Sequence, residues 1–174
     1  SPSVPPRLMS VLPPPDSHAL DRAAELAMAA SRPVVIAGGQ CGPADAPWLR
    51  AFAEALMVPV LATRQAKGAL FETHPLALGI FTGGNQDDAV LGRADLIVTL
   101  GLEAAEFESH NWPYSALVVC LSRAPHPGFP FTPLVEVVGD LALILEELAP
   151  RLRGKTQANW DMFELDRLKK ASRR

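Results

Sequence analysis

The chain lacks the features that would set it on a membrane, on nucleic acid or in an oxidising compartment. It has only two cysteines, Cys41 and Cys120, and they do not stand at a metal-type spacing. That excludes a zinc module or a disulfide framework as the organising device. A Cys41–Cys120 bridge stays open, but idle thiols in a reducing compartment are the plainer reading. Charge of one sign is also missing: 16 basic and 19 acidic side chains leave a net charge of −3. With no basic cluster, neither a nucleic-acid surface nor contact with an anionic membrane is expected. The apolar runs are far too short to span a bilayer. The first residues lack the charged start and apolar core of a signal peptide, so a soluble cytoplasmic protein is expected.

What is present is a core-forming composition, 48% apolar over 174 residues, enough for one domain. The chain is organised around Pro33-Val34-Val35-Ile36-Ala37-Gly38-Gly39. An unbroken apolar run rich in β-branched residues suits a strand buried on both faces of a parallel sheet. The glycine pair lets the chain turn sharply. Leu96-Ile97-Val98-Thr99-Leu100-Gly101 repeats that pattern, as does Leu134-Val135-Glu136-Val137-Val138-Gly139. Val60 to Thr63 and Ala116 to Leu121 read as further strands. Helices are expected from about Asp16 or Ser17 to Ala30, Ala46 to Met57, Gln86 to Arg93 and Leu141 to Leu152. Asp16 or Ser17 is the candidate cap of the first, and Asp140 of the last. The fold class is therefore α/β: a doubly wound, mostly parallel sheet of five or six strands with helices on both faces.

The ends read differently. Residues 1–15 contain six prolines and read as an extended arm, either a linker or a disordered tail. Residues 16–153 are the domain. Residues 154–174 read as a polar linker remnant, with Trp160, Phe163 and Leu168 at the spacing of a weak amphipathic helix. Inside the domain, residues 64 to 88 form a long glycine-bearing stretch, and loops of that length tend to be functional.

Several motifs, in order and spacing, resemble the central domain of thiamine-diphosphate-dependent enzymes, the family of acetolactate synthase, pyruvate oxidase and the 2-oxo-acid decarboxylases. They are Pro33 to Gly39, Val58-Pro59-Val60-Leu61-Ala62-Thr63, Lys67-Gly68, His74-Pro75-Leu76-Ala77-Leu78-Gly79 and Ala94-Asp95-Leu96 to Gly101. The resemblance covers roughly residues 16 to 150. It implies a Rossmann-like domain of the NAD- or FAD-binding type within a larger parent. The parent's partner domains bind the pyrimidine and pyrophosphate ends of thiamine diphosphate, with magnesium, and the parent is expected to be a homo-oligomer. The chemistry of such enzymes lies in those outer domains. The Gly-Asp-Gly motif that holds magnesium and diphosphate is absent here, since Gly139-Asp140 is followed by Leu141. The chain alone is therefore expected to be inactive, with no catalytic or metal-binding residue of its own.

In flavin-bearing relatives the central domain grips the ADP part of FAD. The positions that would do so here are Gly38, Gly39, Thr63, Lys67, Gly68, Gly79, Gly83 and Gly101. Glycines expose backbone N–H groups to phosphate, and Lys67 adds positive charge. The alternative is that glycines end strands in any α/β sheet for conformational reasons alone. Against flavin, Gly101 is followed by Leu102-Glu103-Ala104-Ala105-Glu106-Phe107-Glu108, where the acetolactate synthases that the chain resembles typically carry an arginine, so the resemblance implies carboxylates in the place of the cation that would meet diphosphate. No tight FAD is expected, and ADP at best weakly. Those three glutamates read as a solvated acidic surface, His74 as a structural loop histidine, and Ser122-Arg123 as a lesser candidate for a ribose or phosphate contact. A free-standing nucleotide-binding module remains the alternative function. Against it, Gly38-Gly39-Gln40-Cys41-Gly42 does not fit the dinucleotide fingerprint Gly-x-Gly-x-x-Gly.

Overall fold

Strand β1 (Pro33–Ala37) and strand β4 (Leu96–Leu100) are buried at every position. Their sequences, apolar except for Thr99, suit this, because a strand covered on both faces has no side that tolerates water. They pair in parallel at the centre of a six-stranded sheet with order β3-β2-β1-β4-β5-β6. The outer strands are β2 (Val60–Ala62), β3 (Ala77–Ile80), β5 (Leu117–Ser122) and β6 (Val135–Val138), and every pairing is parallel. The computed structural model describes residues 12–66, 68–82, 87–107, 111–125, 128–152, 154 and 156–171. Most of the proline arm, Lys67, Gly83, Gly84, Glu108, His110 and His126 lie outside the described residues.

Helix α1 (Ser17–Ala29) starts where the Asp16 carboxylate accepts the Ala19 N–H at 2.9 Å. Its alanine face, Ala23, Ala24 and Ala27, is buried. Helix α4 (Leu141–Arg151) starts on Asp140 in the same way, with a 3.1 Å bond from Leu143 N–H. Such caps satisfy N–H groups that the helix cannot satisfy itself. Helix α2 (Ala46–Leu56) ends on Met57 in the left-handed region (φ 53°) just before Pro59. These helices share one face, where Ala23, Ala27, Phe52 and Leu148 surround a small void over Val98 and Val119. Helix α3 (Asp88–Leu91) follows β3 in the chain. It joins α5 (Met162–Ala171) beside the β2–β3 end.

Three features differ from the sequence reading. Residues 77–80 form an edge strand inside what reads as loop. Only Leu78 of its four residues is buried, and Gly79 sits at φ 137° beside a register shift against β2. A short, half-exposed strand with an internal glycine has no alternating pattern to read. Helix α3 covers Asp88–Leu91 and ends before the expected Arg93; the expected start, Gln86, lies outside the described residues. The tail docks on the domain, but through a different face: Trp160 and Leu165 are buried, whereas Phe163 is 84% exposed.

Candidate functional site

In a sheet of order 3-2-1-4-5-6, the connections leave β1 and β4 in opposite directions, and a crevice opens beyond their carboxyl ends. The register here is level, with Ala37 opposite Leu100, so the turns at Gly38 and Gly101 face one another. Gly38 N–H donates to Leu100 O (2.8 Å), and Gln40 N–H donates to Gly101 O (2.9 Å). The two turns touch at Gly38. A Cβ there would lie 2.5 Å from the Leu102 side chain and 2.6 Å from the Leu102 Cα. Gly101 adopts φ 67°, and a Cβ on it would lie 2.8 Å from Leu141. These glycines thus make room for the chain's own neighbouring turn.

Above that contact sits Glu106, on a short 3-10 turn over Ala104–Phe107. Its carboxylate accepts the Thr63 hydroxyl at 2.5 Å, the Gly39 N–H at 3.1 and 3.3 Å, and the Glu103 N–H at 2.7 Å. Glu106 N–H donates back to Glu103 O at 3.0 Å, a reciprocal arrangement like a capping box. No ion pair joins Glu106 to a cation among the described residues. Glu106 is half-buried and fully engaged, unlike the solvated residue expected from the acidic run, while Glu103 remains exposed.

The expected site residues divide into groups. Gly38, Gly39, Thr63 and Gly101 gather around the switch point. Gly79 lies in β3, two strands from β1, and with Gly68 lines a separate cavity of about 340 Å³ that also involves Leu78, Val90, Leu168 and Lys169. Lys67 and Gly83 lie outside the described residues. Ser122 is buried, and its hydroxyl donates to Ala124 O at 2.6 Å. Arg123 reaches Asp45 at 3.5 Å, and its N–H donates to Gln40 Oε1 at 2.9 Å. His74 is a hub between elements. Leu76 N–H donates to its Nδ1 (3.1 Å), and its Nε2 lies 2.9 Å from the Glu54 carboxylate; Lys169 Nζ donates to His74 O at 2.6 Å. Sequence reasoning missed Glu106 as an acceptor. The available signal was the Glu103-x-x-Glu106 spacing directly after a strand-ending glycine.

Cys41 lies on the β1 turn with its Sγ 3.4 Å from Leu100 O. Burial, with the Asp45 charge second, pushes its thiol pKa up to about 12. The nucleophile is the thiolate, so native Cys41 should resist iodoacetamide at pH 8 and react only on unfolding. Rapid alkylation of the native chain, followed by mass spectrometry, would contradict this. Among the described residues no group of three or more His, Cys, Asp or Glu could hold a metal.

The family model described as thiamine pyrophosphate enzyme, central domain, matches residues 20–148. The chain belongs to that family. Over 140 residues the domain is 29% identical to a probable acetolactate synthase large subunit of Methanococcus aeolicus, spanning 76% of this chain and 23% of that one. It is 33% identical over 141 residues to a probable 2-ketoarginine decarboxylase of Pseudomonas aeruginosa, spanning 79% and 25%. Among solved structures, benzoylformate decarboxylase from Polynucleobacter necessarius superposes with a TM-score of 0.70 at 25% identity, over 91% of this chain and 32% of that one. The chain thus spans about a quarter of the length of the curated relatives it matches. A free-standing nucleotide-binding module is not favoured by these matches. The central domain offers no thiamine-diphosphate anchor at Gly139-Asp140, because the Asp140 carboxylate is spent on capping α4. A flavin diphosphate fits the switch point no better: Leu102 fills the space over Gly38, and the Glu106 carboxylate holds the donors.

Proposed function

We propose that this chain is the non-catalytic middle of a thiamine-diphosphate- and magnesium-dependent lyase or transferase acting on 2-oxo acids or acyl compounds. Its role is to hold the pyrimidine-binding and pyrophosphate-binding domains of the same parent in position, within a cytoplasmic homo-oligomer. The match of residues 20–148 to the central-domain model carries this reading. The switch point supports it, because its glycines and donors are used up in joining the domain's own turns. The relatives are named for different reactions: acetolactate synthase, 2-ketoarginine decarboxylase and, at 33% identity over 122 residues, a sulfoacetaldehyde acetyltransferase from Rhodobacter capsulatus. A shared middle domain under differing chemistries is what a scaffold role requires. The expected result is that the purified chain, given thiamine diphosphate, magnesium and pyruvate, neither releases carbon dioxide nor forms acetolactate above the protein-free control. Turnover by the chain alone would overturn the reading.

A further inference from the structure

Glu106 does something that a scaffold role does not call for. The donors on its carboxylate come from three different turns: Gly39 after β1, Thr63 after β2 and Glu103 after β4. These turns border the crevice at the switch point, where a doubly wound sheet takes its ligand. Converging backbone N–H groups and a hydroxyl are the usual recognition set for an oxyanion. A phosphate oxygen and the Glu106 carboxylate would need the same donors, and their like charges repel. Below them, Leu102 closes the space against Gly38, so the cradle cannot be approached from underneath.

We infer that Glu106 is the resident anion of this cradle: held in cis, it stands in the place of a ligand phosphate and pins the β1, β2 and β4 turns together. The wild-type domain therefore accepts no phosphate there. Removing the carboxylate leaves an oxyanion site for inorganic phosphate or the phosphate of a nucleotide. This follows from the chain's own contacts and does not depend on the parent's reaction; turnover by the isolated chain would leave it untouched.

The test compares wild type, Glu106→Ala and Glu106→Gln in thermal unfolding and calorimetry. The probes are inorganic phosphate, formate and ADP, each against chloride of equal ionic strength. Wild type should respond to phosphate no more than to chloride. Glu106→Ala should start at a lower midpoint and regain most of the loss in a saturable way with phosphate or formate, as a ligand of the native state does. Glu106→Gln, whose amide still fills the cradle, should show no such recovery. Rescue by phosphate but not ADP restricts the opened site to small anions; rescue by both extends it to nucleotide phosphates. An unchanged anion response in Glu106→Ala overturns the inference, as does wild type binding phosphate or ADP as tightly as that variant. If Glu106→Ala fails to fold in water, phosphate or formate should restore a cooperative transition. Amide exchange in wild type gives an independent reading: the Gly39 and Glu103 N–H groups should be protected, and their free exchange would also overturn the inference.

Discussion

Replacing Gly38 by alanine is expected to destabilise the domain by about 3 kcal/mol and lower its thermal midpoint by about 6–12 °C. The reason is space, not backbone conformation. Gly38 is not among the described glycines at positive φ, so alanine can adopt its dihedrals. The added Cβ, however, would meet the Leu102 Cα at 2.6 Å and the Gly101 carbonyl oxygen at 2.7 Å. Backbone atoms cannot rotate away as a side-chain tip can, so the β4 turn has to move. That turn carries Glu103 and Glu106, and moving it strains the bonds to Gly39 and Thr63 as well. Gly68 is the matched control. It lies at φ 97°, but a Cβ there meets nothing within 4 Å, so Gly68→Ala carries only a backbone cost of about 1–2 kcal/mol. Urea unfolding of the three proteins checks this. If Gly38→Ala costs under about 1 kcal/mol on the linear-extrapolation scale, the contact between the β1 and β4 turns is not tight.

Replacing Trp160 by alanine is expected to cost about 3–4 kcal/mol, although the residue lies in a stretch whose sequence reads as a polar tail. Its indole N–H donates to Pro33 O, the first carbonyl of β1, at 2.8 Å. Its ring, 8% exposed, lies beneath the Arg32 guanidinium at 5.0 Å. The neighbouring chain is anchored too: Gln157 N–H donates to Met28 O (3.1 Å) and Asn159 N–H to Ser31 O (2.8 Å). Truncation would therefore remove packing and a cation–π contact and leave a buried carbonyl without its donor. Phe163→Ala, at a position 84% exposed, should change stability by less than about 0.5 kcal/mol. Equal effects for the two variants, measured by denaturant midpoint, would mean that residues 156–171 do not unfold with the domain.

The central strands rest on signals that are local. Val34, Val35 and Ile36, and Leu96, Ile97 and Val98, are apolar without a break because both faces are covered. A parallel sheet is what such runs build when helices alternate with them. Asp140 was legible as a cap, and Asp16 as one of two candidates with Ser17, because a cap depends on residues three positions away. The family was legible in the same way, from short motifs in fixed order. Edge strand β3 was not, because it is short, half-exposed and interrupted by Gly79.

Neighbouring residues suffice to specify the fold class, the central strands, the Asp140 cap of α4 and the kinship with thiamine-diphosphate enzymes. Tertiary structure alone decided what the glycines and carboxylates do. Gly38 faces Leu102, Thr63 faces Glu106 and Trp160 faces Pro33. The same glycine turn and the same glutamate serve a ligand site or a closed one, depending on what arrives from distant turns. Here the β4 turn arrives with its own carboxylate. Electrostatic and steric exclusion act through space, and the partner that excludes is set by the register of β1 against β4, which no local pattern encodes.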